Sequence, residues 1–120
     1  MDKSQAEAFA REWIAAWNSH DLDRILDHYT EDFEMSSPVI RALMGEPAGK
    51  LCGKPAVREY WARALQRNQF LRFELIAAFA GVDSVVLHYR GHRGLSAEVF
   101  HFRSDGKIYA AFAHYADPPA

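Results

Sequence analysis

The chain has 120 residues, 49% of them apolar and 25% charged, with a net charge of −2 and a pI near 6.3; that is enough apolar material for one folded domain, expected to span 1–120, and it excludes a disordered segment. No basic tract is present, and arginines such as Arg41, Arg58, Arg63, Arg67, Arg72, Arg90, Arg93 and Arg103 are dispersed, which excludes a basic face for nucleic acid or an anionic membrane. Cys52 is the single cysteine, the first seven residues lack the apolar stretch of a signal peptide, and no run reaches the roughly 20 apolar residues of a membrane helix, so the expected compartment is a reducing cytoplasm.

Ser4 and Glu7 have the spacing of a capping box, which predicts a helix running to about Asn18. Phe9, Trp13, Ile14 and Trp17 form its apolar face. Asn18-Ser-His-Asp21 breaks the chain, and Asp21 is placed to cap a second helix with Leu22, Ile25, Leu26 and Tyr29 as its stripe. A short strand follows over 33–37, with Phe33, Met35 and Ser37 on one face, stopped by Pro38. Residues 39–53, with Gly45, Pro47, Gly49 and Gly53, read as a loop with a little strand at 39–43. Pro55 suits the first turn of a third helix reaching about Arg67.

The remainder alternates as strands do. Leu71, Phe73, Leu75 and Phe79 form one face of the first. Gly81-Val-Asp83 turns the chain, and Val85, Leu87 and Tyr89 form one face of the next. A tight turn at 91–94 places Tyr89 near Ser96, Leu87 near Glu98 and Val85 near Phe100. The strand 95–103 carries Glu98, Phe100 and Phe102 on one side and Ala97, Val99, His101 and Arg103 on the other. Ser104-Asp-Gly106 turns into a last strand ending near Tyr115. Helices followed by an antiparallel meander specify an α+β fold, the helices on one face of the sheet.

Glu98 is the residue in need of a chemical explanation, because it shares its face with two phenylalanines. Burial there disfavours the charged form, and a carboxyl kept neutral can donate a proton or a hydrogen bond. Ser37 sits in no Gly-x-Ser-x-Gly elbow, so it is read as a ligand-contacting or strand-capping hydroxyl and not as a nucleophile. The six histidines, His20, His28, His88, His92, His101 and His114, form neither His-x-His nor His-Glu-x-x-His, so no metal site is expected. His88 and His101 fall on the outer face of the sheet. Cys52, with no paired base, is expected to be a buried or inert thiol.

The chain resembles the nuclear transport factor 2-like superfamily, the fold of SnoaL-type cyclases and ketosteroid isomerases. The resemblance is carried by Ala16-Trp-Asn-Ser-His-Asp-Leu-Asp-Arg-Ile-Leu-Asp-His-Tyr29, Thr30-Glu-Asp-Phe33, Ser37-Pro38, Gly53-Lys-Pro-Ala-Val-Arg-Glu-Tyr-Trp61 and Val99-Phe-His-Phe-Arg-Ser-Asp-Gly-Lys-Ile108. It implies a cone-shaped roll in which three N-terminal helices pack on a curved, mainly antiparallel sheet. It also implies a pocket inside the cone and a homodimer through the outer sheet face. Residues carried over from the isomerase pattern are mostly changed. The aspartate base before a proline is Ser37 here, the oxyanion-donating tyrosine of the first helix is Trp13, and a tryptophan of the last strand is Tyr115. The second oxyanion donor, an acid eight residues before the turn glycine, is Glu98.

The expected pocket is therefore built on Glu98. Trp13, Trp17, Tyr29 and Trp61 come from the helices, Phe33, Met35 and Ser37 from the first strand, and Leu87, Phe100 and Tyr115 from the meander. The expected occupant is a small apolar or aromatic molecule, without cofactor or metal. The chemistry implied is acid-assisted and of isomerase, cyclase or lyase type. The alternative is a binding or dimeric interaction module with no chemistry.

Overall fold

The structure, a computed structural model, describes residues 1–119. Helix α1 (Lys3–Ser19) is capped two residues before the predicted cap. Asp2 occupies the cap position, its carboxylate accepting the Gln5 N–H while the Gln5 side chain accepts the Asp2 N–H. Aspartate with glutamine at the third helical position closes the same reciprocal box that serine and glutamate would. The buried stripe of α1 is Ala6, Ala10, Trp13, Ala16 and Trp17, so small residues let the helix approach the sheet and the two indoles fill the space left. Its last turn ends at His20, in the left-handed conformation with φ 61°.

Asp21 caps α2 (Leu22–Leu26), accepting the N–H groups of Asp23 and Arg24. This helix is one turn long. Tyr29, expected at its end, instead begins β1 (Tyr29–Ser36), whose buried side chains are Tyr29, Phe33 and Met35. The segment after β1 departs further from expectation. Residues Pro38–Met44 form helix α3, capped by Ser37, whose hydroxyl accepts the Val39 N–H at 3.1 Å. A serine followed by proline is a helix start as well as a strand stop, because the missing N–H of proline costs nothing in the first turn. A three-residue strand, β2 (Lys50–Cys52), follows, and it leaves Cys52 exposed. Helix α4 (Lys54–Arg67) runs as predicted from its proline.

The meander consists of β3 (Glu74–Ala80), β4 (Ser84–Gly91), β5 (Gly94–Phe102) and β6 (Ile108–Tyr115). The six strands form one sheet in the order β2-β1-β6-β5-β4-β3, antiparallel throughout except for β1 beside β6. The fold is α+β, with four helices and not three packed on a mixed, curved sheet. The β4–β5 register matches the hairpin expectation, with Leu87 opposite Glu98, Tyr89 opposite Ser96 and Val85 opposite Phe100.

One alternation fails. The β3–β4 pairing shifts between Leu75 and Ala77, and an inserted residue there moves later side chains to the other face. Ala78 consequently packs on the core, while Phe79, predicted to share the face of Leu71 and Phe73, is 57% exposed. Leu71 and Phe73 are buried just ahead of the strand. There Asn18 holds the backbone of Phe73 from both sides, its Oδ1 accepting the N–H at 2.7 Å and its Nδ2 donating to the C=O at 3.0 Å. Irregularities also interrupt the β1–β6 and β5–β6 ladders, and such bulges bend a sheet around its helices.

Among the described residues, no helix is long and apolar enough to cross a membrane.

Candidate functional site

Helices α1, α3 and α4 leave a cavity of about 320 Å³ above the inner face of the sheet. Glu98 stands on its wall, contributed by the middle of β5, where the residues opposite it are Leu87 and Ala113. It is 4% exposed. Removal from water pushes its pKa up from 4.5 to about 7, against a smaller lowering by the Tyr89 hydroxyl, which donates to Oε1 at 3.1 Å. A carboxyl in this state divides between acid and base forms near neutrality, the condition under which one group serves best in proton transfer.

Phenols surround it. The negative charge that Glu98 can carry raises the pKa of Tyr29, Tyr60, Tyr89 and Tyr115, in each case after the larger effect of burial; for Tyr115 the two bring it to about 12. All four therefore remain protonated donors over the range in which Glu98 titrates. The Ser37 hydroxyl lies 3.4 Å from that of Tyr115, tying the α3 cap to the end of β6.

The expected pocket residues divide into two groups. Trp13, Trp17, Met35, Trp61, Tyr115 and Glu98 line the cavity together. Tyr29, Phe33, Leu87 and Phe100 do not; they are 0–2% exposed and form the packed layer behind its wall. Tyr29 and Phe33 have ring centroids 4.4 Å apart and pack on Trp61, and Phe100 meets Trp13 edge to face. Facing inward on a strand was not enough to reach the hollow, because the centre of the layer is filled by aromatic rings. Ser37 also lies outside the lining, engaged by α3 and Tyr115.

The isomerase comparison is altered at Trp13 as well. Its indole N–H, the donor that a ligand oxyanion would need, is given to the Tyr29 hydroxyl at 3.0 Å within the core. Tyr89 is the donor that sequence reasoning missed. The register placed it two residue pairs along the ladder from Glu98, hence on the same face, and that adjacency was the available signal. The rest of the lining comes from α3 (Val39, Ala42 and Leu43), from α4 (Tyr60, Ala64 and Arg67), from the turn residues Asn68, His92 and Arg93, from Leu71 and Phe73 ahead of β3, and from Tyr89 itself. Among the described residues, no three His, Cys, Asp or Glu side chains converge on a point where a metal ion could sit.

Comparison with known proteins agrees with this architecture. The SnoaL-like domain family matches over residues 10–111. Among solved structures, a SnoaL-like protein of unknown function from Burkholderia thailandensis is 55% identical, over 97% of this chain and 98% of its own, with a TM-score of 0.93. SalBIII, described as an epoxide hydrolase/cyclase-like enzyme in pyran ring formation in the polyether salinomycin, is 19% identical over 96% of this chain and 93% of its own, with a TM-score of 0.74. TerC, co-crystallised with polyporic acid, is 19% identical over 88% and 87%, with a TM-score of 0.73. At 19% identity the likeness is one of fold. No curated protein matches the chain.

Proposed function

The chain belongs to the SnoaL-like domain family, and on that premise we propose that it binds a small apolar or aromatic molecule in the cavity and assists proton transfer on it with Glu98. The reaction class is isomerase, cyclase or lyase. The observation that carries the proposal is a carboxyl on the cavity wall, 4% exposed, held to about 7 by burial and hydrogen-bonded by one phenol. In its protonated form it donates a hydrogen bond to a ligand oxygen, and a carbon acid beside that oxygen then loses its proton more readily to solvent water, leaving an enolate that Glu98 stabilises. The aromatic lining supplies the apolar contact. Because all three tryptophans face the cavity, intrinsic fluorescence reports occupancy.

The test uses 2-tetralone, a flat ketone with exchangeable α-hydrogens, in D2O. The protein should accelerate deuterium incorporation above the buffer rate at the same pH, and Glu98→Gln should abolish the acceleration while the ketone still quenches fluorescence. Equal acceleration by both proteins refutes the role of Glu98.

A binding module without chemistry is the second reading. It is favoured by Ser37 serving as a helix cap and by the Trp13 N–H being engaged by Tyr29. Quenching without exchange in either protein supports it. The same account includes a second copy of this chain on the outer sheet face, where Ile76 and Phe79 are 45% and 57% exposed; a sedimentation mass of one chain contradicts that part. Cys52, exposed and unpaired, suits a reducing compartment such as the cytoplasm.

A further inference from the structure

The cavity is not electrically balanced. Of the residues that line it, Glu98 is the one acid, deep on the sheet, whereas Arg67 and Arg93 bring two guanidinium groups from the end of α4 and the β4–β5 turn. Neither arginine forms an ion pair among the described residues. Arg93 is half-buried, and its Nε is enclosed with no hydrogen-bond partner. Its positive charge is felt by the Tyr60 and Tyr115 phenols, two of the four that feel Glu98. The phenols thus stand within reach of both the acid and the guanidinium. An enclosed N–H donor without an acceptor is costly, and more so on a charged group. A two-residue turn between Gly91 and Gly94 fixes the backbone from which this side chain projects.

We infer that the ligand is a carboxylic acid, its apolar or aromatic body in the cavity and its carboxylate held side-on by Arg93 at the turn. The inference rests on the cavity being the binding site for a small apolar molecule. A rotation of the guanidinium toward the cavity lets Nε and one Nη donate in parallel to the two carboxylate oxygens, the geometry for which arginine is suited and lysine is not. Arg67, exposed on the facing helix, adds charge without a fixed contact. A carboxylate bound at this end leaves the far end of the molecule toward Glu98, so the group that orients the ligand and the group that moves the proton are separate.

The test compares trans-cinnamate with cinnamyl alcohol, two probes of matched shape and different charge, by titration calorimetry on the full chain. Wild type should bind the acid at least about 10-fold more tightly than the alcohol. Arg93→Gln should remove that preference while leaving the affinity for the alcohol within about twofold, which also shows that the variant is folded. Arg93→Lys, keeping the charge and losing the fork, should retain only part of the preference. Alcohol bound as tightly as acid by wild type, or a preference unchanged in Arg93→Gln, overturns the inference and leaves the cavity as a binding site. Failure of both probes to bind wild type overturns both.

Discussion

Replacing Glu98 by glutamine changes stability in a way that depends on pH, and the structure fixes the sign. In the folded chain the carboxyl titrates near 7, against 4.5 without burial. Below about pH 4.5 it is protonated in both states and contributes no difference. As pH rises toward 7 the unfolded chain loses this proton while the folded chain keeps it, so the unfolded state is increasingly favoured. Above the folded value both are ionised and the loss is complete. A difference of about 2.5 units at 1.36 kcal/mol each is about 3 kcal/mol. Glutamine has nearly the same shape, does not titrate, and can still accept from Tyr89. The variant should match wild type near pH 4.5 and exceed it by about 3 kcal/mol near pH 8, on the order of 10 °C in melting midpoint. Urea unfolding of both proteins across that range measures the difference directly. Parallel curves, or a gain that appears only at acid pH, would refute the burial argument.

Ser37→Ala removes the cap of α3 and the contact with Tyr115; it should cost about 1 kcal/mol in urea unfolding, and Ser37→Asp should recover most of it, since aspartate also accepts at a cap. Asn18→Ala frees both backbone groups of Phe73, a cavity-lining residue. It should destabilise by about 1–3 kcal/mol and weaken cinnamyl alcohol binding, whereas Asn18→Asp, which keeps only the acceptor, should fall between. An effect confined to stability, with binding intact, would show that Phe73 does not depend on this clamp.

Most of the sheet was legible because each strand of the meander has one apolar face and a recognisable turn. The Leu87–Glu98 pairing followed from counting outward from residues 91–94, and it holds. The β3 irregularity was not legible. Ile76-Ala-Ala-Phe79 offers no glycine or polar residue at the inserted position, so nothing local announces that Phe79 turns outward. Helix α3 was missed for a different reason. Its seven residues are too few to show a period, and the glycines that follow suggested a loop, although Ser37-Pro38 was a sufficient start signal. At the site, alternation identified Glu98 as the inward acid but could not separate residues that line the hollow from those sealed beneath it. Tyr29 and Trp61 are both aromatic residues of apolar stripes in the sequence, and only the packed structure shows that Trp61 meets the cavity while Tyr29 lies beneath it against Phe33. Arg93 and His92 were not assigned to the pocket, because a turn residue shows its charge but not the direction of its side chain.

The account depends on Glu98 holding a proton inside the cavity at neutral pH. The infrared C=O stretch of a protonated carboxyl, taken as wild type minus Glu98→Gln and titrated from about pH 5 to 9, reads that proton directly. The band should be present at neutral pH and disappear with a midpoint near 7. A band already lost by about pH 5 would make Glu98 an ordinary carboxylate and contradict its role as the acid of this site.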